Sequence, residues 1–126
     1  MNKNKQNTHL LASEKLIGSV VSIGNDCATV KLTITEEMIV DTYNLSHGSF
    51  VFGLADYAAM VAINEPTVVL GKATTKFLKP VILNDVVTAV ATIIETSGKK
   101  ISVLVVVTNQ KNELVFEGEF VCFVLE

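Results

Sequence analysis

Residues 50–63 (Phe-Val-Phe-Gly-Leu-Ala-Asp-Tyr-Ala-Ala-Met-Val-Ala-Ile) carry one charged residue, Asp56, in an otherwise apolar run. The length suits a helix, and a helix with no polar side has to be enclosed by the rest of the chain. A carboxylate inside it is costly unless it is paired, protonated or used. His47-Gly48-Ser49 opens the run and Glu65-Pro66 closes it. Ser46 is the expected N-cap, and the proline stops the helix near Asn64.

The 126 residues fit one domain, and 49% apolar content with 18% charged content supplies a sizeable core. A net charge of −3 without any basic run argues against nucleic acid as a partner. Cys27 and Cys122 sit in apolar, strand-like runs. They read as reduced core residues of a cytoplasmic protein. No Cys-x-x-Cys and no paired histidines offer a zinc site. Residues 42–64 are apolar enough to suggest a membrane span, but Asp56, His47 and Glu65-Pro66 argue against one. Residues 1–10 begin with a polar stretch and are expected to form a flexible tail, with residues 11–126 as one domain.

Strand patterns cover residues 16–23 and 28–35, joined by the hairpin signal Gly24-Asn25-Asp26. After the helix, four more follow at 68–78, 85–95, 100–108 and 114–125, separated by turn residues and expected to run as an antiparallel meander. A six-stranded antiparallel sheet curled around one central helix encloses that helix fully. This is an α+β hotdog architecture, with five to six strands. Its open edges are expected to pair with a second copy, giving a dimer or a dimer of dimers.

The chain resembles the hotdog-fold acyl-CoA thioesterases of the phenylacetate-pathway type, from about Leu16 onward. That family carries a His-Gly-Gly helix opening with a Leu-x-Asp whose acid lies nine residues after the His. His47-Gly48-Ser49 and Leu54-Ala55-Asp56 stand at that spacing. Phe77-Leu78-Lys79-Pro80 matches a second family element, an aromatic, aliphatic, basic, proline strand end. The family's Asn six residues before the His is Asp41 here, its Gly three before is Asn44, and its second Gly is Ser49. The chain also resembles the hotdog ligand domain of lipid-synthesis repressors, which bind malonyl thioesters without hydrolysing them.

A thioester carbonyl needs polarisation, and free N–H groups in the first turn of a helix supply it. Gly48 and Ser49 are placed to donate. Asp56 either activates water or attacks the carbonyl itself. Apolar surroundings should raise its pKa, and any nearby positive field opposes this. Ser49, Gly53, Asp56 and Met60 share one helix face, but Ser49 and Asp56 are about 10 Å apart along the axis. One helix cannot serve one carbonyl with both groups. The resemblance implies composite sites at a dimer interface, with Asp56 of one chain near Ser49 of the other.

His47 is expected to hold the loop or orient the carbonyl. No base is evident beside Ser49, which argues against it as a nucleophile. Asp41 and Asn44 are expected to line the mouth. Lys72, Lys76 and above all Lys79 are candidates for coenzyme A phosphates, and Thr74, Phe77, Phe52 and Met60 for the acyl chain. The expected ligand is an acyl thioester of coenzyme A or of an acyl carrier protein, with no metal or redox cofactor. The reading is a thioester hydrolase, with a non-catalytic acyl-CoA-binding or regulatory module as the alternative.

Overall fold

The computed structural model describes residues 5–125. A one-turn helix α1 (Glu14–Ile17) precedes β1 (Ser19–Gly24) and β2 (Cys27–Thr33). A 3-10 turn (Glu36–Met38) leads to the long helix α2 (Gly48–Ile63). Four strands follow: β3 (Val68–Phe77), β4 (Val86–Ser97), β5 (Lys100–Thr108) and β6 (Leu114–Val124). All six strands form one antiparallel sheet around α2, as the hotdog reading requires.

The strand order is β1-β2-β4-β5-β6-β3. Only β4, β5 and β6 form a meander. β3 crosses the sheet to pair with β6 at the far edge, which corrects the expected four-strand meander. The start of the first expected strand also differs. Ser13 caps Glu14–Ile17 into a helical turn by accepting from Leu16 N–H, and the strand begins only after Gly18. At Gly18 (φ 124) an added Cβ would stand 2.9 Å from Leu54 Cδ1 and from Lys31 O, so glycine alone lets this corner close on α2.

The turns follow their residues. Asn25-Asp26 makes a two-residue hairpin loop with Asp26 at φ 62. Gly98-Lys99 does the same between β4 and β5, with Gly98 at φ 63. Inward-facing Val87, Ala89, Ala91, Val103, Val105, Val107, Phe116 and Phe120 form a wall against Leu54, Ala58 and Val61 of α2. Burying one such aliphatic or aromatic side chain contributes roughly 1.5–3 kcal/mol. Cys122 is buried in this wall, Cys27 is half-buried, and both are free thiols. No helix among the described residues is long and apolar enough to cross a membrane.

The segment expected to be a flexible tail divides. Residues 1–4 lie outside the described residues. From Lys5 onward the chain packs along α2 as a strap, which the expectation did not foresee. Asn64, the left-handed C-cap of α2 (φ 59), holds it at one end. Its Nδ2 donates to Lys5 O (2.8 Å) and its Oδ1 accepts from Asn7 N–H (2.7 Å). Gln6 Nε2 donates to the Tyr57 hydroxyl (2.9 Å), and Thr8 is buried. Asn64→Ala removes both tethers and the residue suited to the left-handed cap, and is expected to cost about 1–3 kcal/mol in urea unfolding. Asn64→Gly, which keeps the backbone preference, is expected to cost less. Equal losses would show that the tethers alone matter.

Candidate functional site

The start of α2 is set by its neighbours. Ser46 N–H donates to Val81 O (2.8 Å) and His47 N–H to Met38 O (3.0 Å), which clamps the incoming loop between two other segments. The cap is His47 rather than the expected Ser46, whose hydroxyl donates to the His47 carbonyl (3.2 Å). His47 Nδ1 accepts from Ser49 N–H (3.0 Å) and stands 2.8 Å from Ser49 Oγ. An Nδ1 that accepts an N–H carries no proton, so this hydrogen-bond pattern assigns the ring proton to Nε2 and makes the Ser49 hydroxyl a donor.

Two expectations change as a result. The Ser49 N–H is engaged by His47, so Gly48 supplies the N–H that has no acceptor among the described residues. A base does lie beside Ser49, because His47 Nδ1 is within hydrogen-bond reach. That lone pair is shared with a backbone N–H, which ties it to capping and weakens it as a proton acceptor.

Gly48 faces the end of β3. A Cβ added there would lie 3.2 Å from Phe77 Cε2, so glycine lets the ring close over the helix start. Phe77 packs edge-on against Phe116 (centroids 5.0 Å, 77°). Gly48, Val51, Phe77, Leu78, Lys79 and Pro80 line a cleft of about 300 Å³. The two sequence signatures, the helix opening and Phe77-Leu78-Lys79-Pro80, thus meet in one place.

Other candidates fall elsewhere. Asp41 Oδ1 accepts from Tyr43 N–H (2.9 Å) and Leu45 N–H (3.2 Å), so it builds its own loop. Asn44 takes a left-handed backbone (φ 65) and its carbonyl accepts from Leu83 N–H. Both shape the loop before α2, and neither lines the cleft. Lys79 sits at the cleft rim, ion-paired to Glu113 (3.0 Å). The Asn109 side-chain amide, and then Lys79, hold the Glu113 carboxyl below its usual range. Thr74 pairs with Glu119 and Lys76 with Glu117, on the opposite face of β3 from Phe77. Thr74 is therefore not on the face of Phe77. Thr75 is: its Cγ2 would lie 2.8 Å from a Cβ at Gly118. Counting back by two from Phe77 finds Thr75 in the sequence alone.

Asp56 stands apart from the cleft, about two turns further along α2. It is half-buried, and its Oδ1 is buried without a hydrogen-bond partner. Burial pushes its carboxyl above the usual range, and His9 opposes that. Beneath it, burial and then the Asp56 charge push the Cys122 thiol up to about 12. Phe52 packs on Phe120 (centroids 5.5 Å), and Met60 is wholly buried in the core, not on an open face. Sequence reasoning missed His9, because nothing local to residues 5–10 signals that they lie along α2. Among the described residues no group of three His, Cys, Asp or Glu side chains is placed to hold a metal.

Comparison with known proteins fits this geometry. A solved structure of an uncharacterized protein, PH1136 from Pyrococcus horikoshii, is 52% identical, with a TM-score of 0.96 over 100% of this chain and 96% of that one. A methylthioribose-1-phosphate isomerase of Aquifex aeolicus is 44% identical over 90% of this chain but only 25% of its own length. The transcription factor FapR of Staphylococcus aureus is 28% identical over 96% of this chain and 65% of its own length. The chain thus spans less than two thirds of these two curated relatives. The Thioesterase superfamily profile matches residues 43–116, which hold the helix opening, Asp56 and the Phe77-Leu78-Lys79-Pro80 strand end. The chain belongs to the thioesterase superfamily.

Proposed function

We propose that this protein hydrolyses acyl thioesters at composite sites formed by two copies. The observation that carries the reading is Asp56: a carboxylate on the central helix, with a buried oxygen that has no hydrogen-bond partner among the described residues. A structural acid in that place would be hydrogen-bonded. Its raised pKa suits a group that takes a proton from water or attacks a carbonyl. The Gly48 N–H, at the positive end of a 16-residue helix and beside the cleft, suits the thioester oxygen.

Asp56 and Gly48 of one chain are too far apart for one carbonyl, so two antiparallel copies of α2 supply one group each. Phe52, Gly53 and Asp56 are half-exposed on α2, and β3 is an open sheet edge with Val69 and Phe77 uncovered. Both invite a second copy, as a dimer or a dimer of dimers. The cleft takes the acyl end of a thioester of coenzyme A or of an acyl carrier protein, and Lys79 at the rim meets phosphate. The reaction uses water, a carboxylate and backbone donors, with no metal or redox cofactor. A second reading, a non-catalytic acyl-CoA-binding module, is favoured by the self-capping at His47, which leaves a single free donor.

The test is thiol release across a panel of acyl-CoA thioesters, with wild type and Asp56→Asn side by side. Wild type is expected to turn over, and the variant to lose roughly 10²–10⁴-fold while retaining ligand affinity. If both are silent and both bind, the binding-module reading replaces the enzyme.

The same variant tests the cost of the site. A carboxyl whose folded pKa is raised favours the fold when protonated. That contribution is full below the unfolded value and is lost as pH rises through the folded one. Asp56→Asn is therefore expected to be more stable than wild type at neutral pH, with the gap closing toward acid in urea unfolding at both pH values. A gap independent of pH would show that ionisation of Asp56 is not its source.

A further inference from the structure

The cleft wall, Phe77 to Val81, is gripped from behind by a turn that does not line it. Residues 109–113 connect β5 to β6 and carry Glu113 and Gln110. Glu113 Oε2 accepts from Lys79 Nζ within the wall (3.0 Å). Gln110 acts just beyond it: its Nε2 donates to Asp85 Oδ1 (2.9 Å), and its Oε1 accepts from Val86 N–H (3.0 Å). Asp85 is a buried carboxylate, 7% exposed, with no ion pair among the described residues. Its Oδ2 accepts from Ile82 N–H (3.0 Å), and its turn is pinned beyond β2, where Asn84 N–H donates to Ile34 O and Ile34 N–H to Asp85 O (2.9 Å each). This block hands its position to the opening of α2. Leu83 N–H donates to Asn44 O (2.9 Å), Ile82 forms a β-bridge with Leu45, and Val81 O accepts from Ser46 N–H (2.8 Å). The next two residues are the His47 cap and Gly48.

We propose that Asp85 and Gln110 are positioning residues for the cleft: their side-chain pair fixes residues 81–83 against residues 44–46, and so sets the apolar wall relative to the Gly48 N–H. Backbone bonds to Ile34 already close the turn at Asn84 and Asp85. A carboxylate buried on neutral donors alone is a costly addition to such a turn. What it adds is a link across to the β5–β6 turn, which also holds Lys79 through Glu113. The wall segment is thereby held at two points, with the anchors of the helix opening between them. That the wall and the Gly48 N–H serve one acyl thioester rests on the hydrolase reading, whereas the placement of the helix opening does not.

The test uses the full chain. Gln110→Ala removes the partner at an exposed turn position, and Asp85→Asn turns a second amide toward the Gln110 amide. Asp85→Asn combined with Gln110→Glu rebuilds the link with roles reversed: the new amide donates to the new carboxylate, whose other oxygen accepts from Val86 N–H. Amide hydrogen exchange is followed by NMR at Ser46 and Leu83, with Val105 in the core of β5 as the reference. Binding of coenzyme A and of S-butyl-coenzyme A, a thioether that water does not cleave, is measured by calorimetry. Both single variants are expected to speed exchange at Ser46 and Leu83 several-fold more than at Val105, and to lower several-fold the affinity that the butyl group adds. The paired substitution is expected to restore both. Exchange that is unchanged, or faster equally at all three amides, overturns the proposal, as does a butyl advantage that stays at the wild-type value or a paired variant that behaves like the single ones. Faster local exchange in a protein that binds neither compound keeps the placement of the helix opening and overturns the thioester reading.

Discussion

Everything in this fold answers to the burial of α2. From Tyr57 to Ile63 the helix offers no residue that water would satisfy, so the sheet has to bend around it. A single flat sheet covers one side of a helix. Four register shifts, one in each of the pairings other than β2 with β4, let the strands bend and twist as they go round. The strap from Lys5 lies along the helix where its C-terminal half passes Tyr57 and Asn64. What stays half-exposed is the face bearing Ser49, Phe52, Gly53 and Asp56. The polar groups of the helix lie where enclosure stops, which is why the candidate chemistry is there.

The two ends of α2 are held by side chains that act on the backbone, His47 at the start and Asn64 at the end. At the end the device is purely structural, since Asn64 satisfies its own cap and pins the strap. At the start it bears on function. An N-terminal turn is useful to a ligand in proportion to the N–H groups left unused. Here His47 takes the Ser49 N–H, leaving Gly48 facing the cleft. Ser49 in place of a glycine gives the cap a hydroxyl that also meets Nδ1, and so ties the ring to the helix rather than to solvent. What the first turn of α2 leaves for a ligand is thus the Gly48 N–H beside the cleft.

Much of this could be read from the chain because the information is local. The apolar run, the Asn25-Asp26 and Gly98-Lys99 turns, and the stop at Glu65-Pro66 each encode their own geometry. The helix opening and the Phe77-Leu78-Lys79-Pro80 strand end were legible as signatures, and they converge on one cleft. The order of strands was not legible. β3 carries the alternation of any half-buried strand, and only the packing of the whole sheet decides that it joins β6 rather than β4. Thr74 and Phe77 are expected together, yet no irregularity lies between them and the period of two puts Thr75 on the Phe77 face instead. Asp41 and Asn44 were read as site residues when their short side chain and left-handed backbone serve the loop. His9 is the extreme case: its ring stands 6.1 Å from the Tyr57 ring, far along the sequence, only because Asn64 and Tyr57 capture the strap.

Asp56 is the one place where α2 works against the burial that holds the rest of it. Burial raises the Asp56 carboxyl above its usual range, so holding that acid ionised on α2 costs the fold stability. Oδ1 is buried and has no hydrogen-bond partner among the described residues, so nothing in the fold offsets that cost at this atom. A domain selected for stability alone would pair that oxygen or replace the acid with an apolar residue, and this one does neither.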